Sequence, residues 1–154
     1  MDYITKAGFD KLSEELDYLW KVKRPEVTRA VSEAAALGDR SENAEYIYGK
    51  KQLREIDRRV RFLSKRLGEL KIVAHKPDNE DKVFFGAYVT LETTKGEEKL
   101  IRIVGSDEFD HEPYYISIRS PLARALIGKE LDDVVTLNLE TGRVEYTILE
   151  IEYR

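Results

Sequence analysis

Two runs of apolar residues repeat at alternating spacings of three and four, and a four-residue connection separates them. The first run carries Phe9, Leu12, Leu16 and Leu19, then Val27, Ala30, Ala34 and Leu37. The second carries Tyr46, Gly49, Leu53, Ile56, Val60, Leu63, Leu67 and Leu70. Such spacing places every member of a run on one helix face, the seam of a coiled coil. The connection Gly38-Asp39-Arg40-Ser41 leaves room only for an antiparallel return, so the pattern predicts a helical hairpin over residues 1–74 with its tip at 38–46. At the α-helical rise each arm spans roughly 45–50 Å.

The phase of the first run slips between Leu19 and Val27, and Pro25 supplies a local cause, because a proline inside a helix removes a hydrogen bond and kinks it. Thr5 is placed as the N-cap of the first helix and Gly38 just beyond its end. Small seam residues near the connection (Ala30, Ala34, Gly49) let the helices approach closely.

Residues 75–81 form a polar linker, after which the period changes to two. Phe85, Ala87, Val89 and Leu91 alternate with Phe84, Tyr88 and Thr90, which reads as a strand. Lys95-Gly96 turns it into Leu100–Val104; Tyr114–Ile118 and Val135–Leu139 follow, and Thr141-Gly142 turns into a last strand. There the apolar phase shifts from Val144-Tyr146-Ile148 to Leu149-Ile151-Tyr153, as a β-bulge produces. Ser120-Pro121 starts a short helix that Gly128 closes. The second domain, residues 82–154, is therefore expected to be a small α+β unit with a mostly antiparallel sheet and one short helix.

Composition narrows the chemistry. The chain has no cysteine, and its two histidines, His75 and His111, are too few and too separated for a zinc or Ser/His/Asp site, which leaves carboxylates. No apolar run reaches membrane length and no secretory signal is present, so a soluble cytoplasmic protein with no membrane partner is expected. Residues 1–74 carry 16 basic against 13 acidic side chains, and residues 75–154 carry 10 against 17. A net +3 against −7 points to an anionic partner for the hairpin.

Two constellations stand out. At the tip, Asp39, Glu42 and Glu45 lie beside Ser41, Asn43 and Tyr46, candidates for supporting the tip. Helix capping accounts for one or two of these groups and stands as the alternative reading. A pair of carboxylates also suits a hard cation such as Mg²⁺, but leaves most of an octahedral shell empty, so a useful metal site has to be shared with a partner. On the second helix Lys51, Arg54, Arg58, Arg61 and Lys65 recur on the face opposite the seam, with Lys50 beside them. Residues 50–66 hold eight basic groups against Glu55 and Asp57, a pattern suited to a nucleic-acid backbone that it positions without reading. Trp20, next to Leu19, is expected to pack rather than to serve as a stacking platform.

The tip segment Gly38-Asp39-Arg40-Ser41-Glu42-Asn43-Ala44-Glu45-Tyr46 resembles the signature of the bacterial GreA/GreB transcript-cleavage factors, and Arg40-Ser41 looks like the GreB version. Lys82–Ala87 and Ser120–Glu130 are similar to the family's C-terminal domain, so the resemblance runs through nearly the whole chain. It implies a coiled coil that enters the secondary channel of bacterial RNA polymerase and an FKBP-like C-terminal domain that docks on the channel rim. It implies that Asp39 and Glu42 act as catalytic and metal-holding residues only in the complex. They would help to hold Mg²⁺ jointly with the polymerase, which cleaves its own backtracked transcript, while the isolated protein, a monomer, binds no cofactor stably. The stripe would guide the nascent RNA 3′ end. Arg119, Ser120 and Pro121 fall at the docking contact, where Arg119 reverses the charge of the Asp or Asn of many relatives. The alternative is a channel-binding regulator without cleavage activity, against which both tip acids argue. An isomerase rests on fold analogy alone, and a plain RNA-binding coiled coil predicts salt-sensitive binding without polymerase.

Overall fold

The computed structural model describes residues 2–38 and 42–154. They fall into two compact units, Phe9–Leu70 and the combination of residues 2–8 with Lys71–Arg154. The sequence division at residues 74 and 75 differs, because Tyr3–Thr5 (β1) pairs in parallel with Lys71–Val73 (β2) and carries both segments into the sheet unit. Three-residue strands are too short to show a period.

In the hairpin, α1 (Lys6–Tyr18) runs through a π-helical turn at Leu19–Lys23 into α2 (Arg24–Ala35), and α3 (Ala44–Glu69) returns. Thr5 caps α1 as expected, its hydroxyl oxygen accepting from the Gly8 amide at 3.0 Å. The slip assigned to Pro25 is taken up just before it. Val27 follows Leu19 by eight residues where the repeat asks for seven, and the Arg24 amide bonds the Leu19 carbonyl across five residues, accommodating the extra one.

On α3 the seam is as the spacing predicts: Gly49, Ile56, Leu63 and Leu70 are buried, while Leu53, Val60 and Leu67 are half-buried. On α2 it differs. Val27 and Ala34 are buried, but Ala30 is exposed and Leu37 is 78% exposed, and Val31 takes the position between. A Cβ on Gly49 would stand 2.7 Å from Val31 Cγ2, so the arms approach here only because residue 49 lacks one. Two ion pairs flank the seam, Arg24–Asp57 at 2.8 Å and Arg59–Glu15 at 2.6 Å. Partly solvated, each contributes about 0.2–1 kcal/mol, which fixes register more than stability.

The sheet unit is α+β. Tyr88–Thr93 (β3), Glu98–Val104 (β4), Tyr115–Ser117 (β5), Val134–Leu139 (β6) and Gly142–Glu152 (β7) form one sheet in the order β5-β4-β3-β7-β6. It is antiparallel except between β4 and β5. The short helix α4 (Pro121–Leu126) buries Ala123 and Leu126 in a core with Val89, Leu91, Ile101, Ile103 and Ile148. Each large aliphatic there contributes roughly 1.5–3 kcal/mol by leaving water. The bulge falls where the phase shift places it: Thr90 faces Glu150 and Leu91 faces Ile148, leaving Leu149 as the extra residue. The first strand, however, begins at Tyr88. Gly86, at a φ of +88°, turns the chain and donates to the Ile103 carbonyl at 2.7 Å, so Phe84 and Phe85 lie outside the ladder.

One carboxylate ties the start of α1 to the sheet unit. Glu108 is fully buried and accepts from the Thr5 amide at 2.8 Å, from the Gly105 amide at 2.9 Å and from the Thr5 hydroxyl. A Cβ at Gly8 would stand 2.1 Å from its Oε1, so the helix start is shaped around it. Removing the acceptor leaves three buried donors without partners. Glu108→Ala should therefore lower the unfolding free energy by roughly 2–4 kcal/mol, read from the urea midpoint. A loss within ~0.5 kcal/mol, the range of ordinary surface changes, would contradict this role.

Candidate functional site

Asp39, Arg40 and Ser41 lie outside the described residues, so half of the expected catalytic pair and one supporting residue carry no geometry. Glu42 is described. It stands exposed in the turn before α3 and makes no hydrogen bond or ion pair among the described residues. Glu45, in the first turn of α3, is exposed as well, and its charge complements the positive end of the helix.

The capping duty belongs to Asn43. Its Oδ1 accepts from the Tyr46 amide at 3.0 Å, and its Nδ2 donates to the Ala34 carbonyl at 2.6 Å. One amide thus opens α3 and closes the last turn of α2, a task no carboxylate can perform, since an ionised carboxylate only accepts. The alternative that the tip acids exist to cap the helix therefore loses its object at Glu42. Tyr46 is half-buried beside this bridge.

The stripe is arranged as the spacing predicts. Lys51, Arg54, Arg58, Arg61 and Lys65 are all exposed, and Lys50 is half-buried. Their neighbours behave differently: Arg59 pairs with Glu15, and Arg66 with Glu69 at 3.5 Å. Among the described residues none of the five stripe cations has an ion-pair partner within the protein. Five like charges in line repel one another and are stabilised by an external anion.

Trp20 departs from expectation. It is 56% exposed rather than packed, because Leu19 turns toward the seam and the next residue lies about 100° further round the helix. The Arg24 guanidinium lies over its ring, 5.5 Å from the centroid. The hydrogen bond from Arg24 to Asp57, followed by the charge of Asp57, pushes the guanidinium further above its ordinary range, so it is charged at any working pH. Periodicity could have pointed to this exposure, since position 20 lies off the seam that Leu16 and Leu19 define.

In the sheet unit, Ser120 caps α4, its Oγ accepting from the Ala123 amide at 3.3 Å, and Pro121 occupies the first turn. Both have a structural reason independent of docking. Arg119 has a largely exposed side chain that pairs with Asp2. Among the described residues no helix is long and apolar enough to cross a membrane, and no cluster of three or more His, Asp or Glu is assembled.

Comparison with known proteins covers both units. The family model "Transcription elongation factor, N-terminal" matches residues 2–72, and "Transcription elongation factor, GreA/GreB, C-term" matches residues 77–153. The chain is similar to the transcription elongation factor GreB of Yersinia pestis, at 62% identity over 99% of this chain and 90% of that protein. It is also similar to that of Pasteurella multocida, at 61% over 99% and 96%. Among solved structures, GreA factor homolog 1 (Gfh1) of Thermus thermophilus is 25% identical over 97% of each chain, with a TM-score of 0.43, too low to bear on the fold. Two adjoining family models and relatives of this identity along nearly the full length decide the matter: the chain belongs to the GreA/GreB family of transcription elongation factors.

Proposed function

We propose that this chain enters the secondary channel of RNA polymerase by its hairpin and stimulates the polymerase's own endonucleolytic cleavage of backtracked nascent RNA, releasing arrested complexes. The observation that carries the proposal is the division of labour at the tip. Asn43 caps and bridges the helices, while Glu42, three residues after Asp39 in sequence, stands exposed with no structural partner among the described residues. A carboxylate in that state suits a metal whose other ligands come from elsewhere.

The donor chemistry fits Mg²⁺, which takes hard oxygen ligands, although two carboxylates leave most of its shell to polymerase and RNA oxygens. When bound, Mg²⁺ activates water and stabilises the charge that develops on the scissile phosphate. Asp39 and Glu42 would hold it in place and orient the attacking water by accepting its hydrogen bonds. The catalytic centre is then the polymerase's, and this chain is a donor of ligands rather than an enzyme. Lys50, Lys51, Arg54, Arg58, Arg61 and Lys65 would take phosphates of the extruded RNA, and Arg119, Ser120 and Pro121 remain the candidates for docking on the channel rim.

Asp39→Asn and Glu42→Gln should each lower stimulated cleavage in a stalled, backtracked complex by roughly 100-fold or more while polymerase affinity stays unchanged. Full stimulation by either variant would exclude the mechanism. Asn43→Ala removes both the cap and the bridge, and should destabilise the tip by about 1–2 kcal/mol. Faster hydrogen exchange at the Tyr46 amide would report that loss. Asn43→Asp, which still accepts from Tyr46 but cannot donate to Ala34, should fall between the two; identical exchange in all three proteins would remove Asn43 from the tip's support.

A further inference from the structure

Neither the seam nor the proposed tip chemistry uses Trp20, the chain's only tryptophan. It stands on the π-helical turn with more than half of its surface in water. One face of the ring is backed by the Arg24 guanidinium, which Asp57 holds through an Nε–Oδ1 hydrogen bond of 2.8 Å. A fixed cation on one side leaves the remaining face and edges of the indole as its open area. The surface beside it is concave, a shallow groove of about 470 Å³ lined by Trp20, Arg24, Pro25, Thr28 and Arg29.

The groove's free charge is positive. Lys21 pairs with Asp17 at 3.7 Å and Arg24 with Asp57, while among the described residues Lys23 and Arg29 have no ion-pair partner and Glu26 is the one acid between residues 20 and 29. It also adjoins the stripe. Asp57, the partner of Arg24, lies three residues from Arg54 and four from Arg61 on α3, and residues at those spacings are neighbours on a helix surface. Apolar company is lacking on this side. Tyr18 and Val22 are exposed too, but each is two residues from Trp20, and residues at that spacing do not share a helix face. A protein partner would call for a broader apolar patch; a ring backed by arginine and flanked by phosphate-seeking cations is the combination that holds single-stranded nucleic acid.

We infer that Trp20 is a base-stacking platform for single-stranded RNA, with Arg29 and the stripe residues Arg54 and Arg61 taking the flanking phosphates. The site rests on the proposed RNA contact of the stripe, extends it across the seam onto the first arm, and needs neither tip acid. Its distance along the first arm from the tip is roughly 25 Å, so it would engage long extruded strands and leave short ones untouched.

Because Trp20 is alone, its fluorescence reports the site directly. The full chain titrated with an unstructured single-stranded RNA of roughly ten nucleotides should show saturable quenching. Read by the anisotropy of an end-labelled RNA, because these variants carry no tryptophan, Trp20→Ala should weaken binding about tenfold while leaving the salt slope unchanged, since stacking releases no counterions, and Trp20→Phe should retain most of the affinity. The triple change Arg54→Ser, Arg58→Ser and Arg61→Ser should instead flatten the salt slope. RNA binding without a change in fluorescence, or undiminished by Trp20→Ala, would overturn the assignment, as would a tryptophan signal that responds to RNA polymerase core and not to RNA. No polymerase chemistry enters the RNA titration. Loss of the cleavage reading at Asp39 and Glu42 therefore leaves a quenching result standing, and loss of quenching leaves the tip untouched.

Discussion

The tip depends on one side-chain amide that faces two ways. Asn43 accepts at the start of α3 and donates to the end of α2, so a connection of a few residues is held at both ends without using a charged group. A carboxylate at this position would satisfy the helix amide but repel the Ala34 carbonyl, and a serine would reach only one of them. Just behind it, Gly49 admits Val31 to a distance that any side chain would forbid. Polar geometry thus joins the two arms, the absence of a methyl group narrows them, and Glu42 is left without a structural partner among the described residues.

On the proposed function, that arrangement suits a chain that lends ligands to a partner's site. A metal centre inside a protein is assembled from several elements that fix each ligand from behind. Here Glu42 is exposed at a turn, and no group of three or more potential ligands comes together among the described residues. On the proposed function, preorganisation would come from the partner. The cations of α3 divide in the same way: Arg59 and Arg66 pair within the protein, while the five in line have no ion-pair partner among the described residues.

Much of this was legible in the sequence wherever a period ran long enough to fix a face. Seven seam positions on α3 and an eighth at its C-cap, Leu70, placed the stripe on the outer face, and the phase shift at Leu149 located the bulge. Short or interrupted signals were not. The α2 seam runs through Val31 instead of Ala30, because the π-helical turn inserts one residue and resets the phase. Pairing of β1 with β2 joins residues 68 apart through three-residue strands, which carry no pattern. Glu108 reads as an ordinary surface acid until the Thr5 and Gly105 amides converge on it. Trp20 was misread for a different reason: adjacency to a seam residue is not membership of the seam.

The central claim, that the tip completes a metal site in another protein, is tested most directly by titrating Mg²⁺ against transcript shortening in a backtracked elongation complex. The chain should lower the Mg²⁺ concentration that gives half-maximal cleavage, and the Asp39→Asn, Glu42→Gln double variant, still bound, should return it to the value of polymerase alone. Stimulation by the intact chain with an unchanged Mg²⁺ dependence would contradict the account.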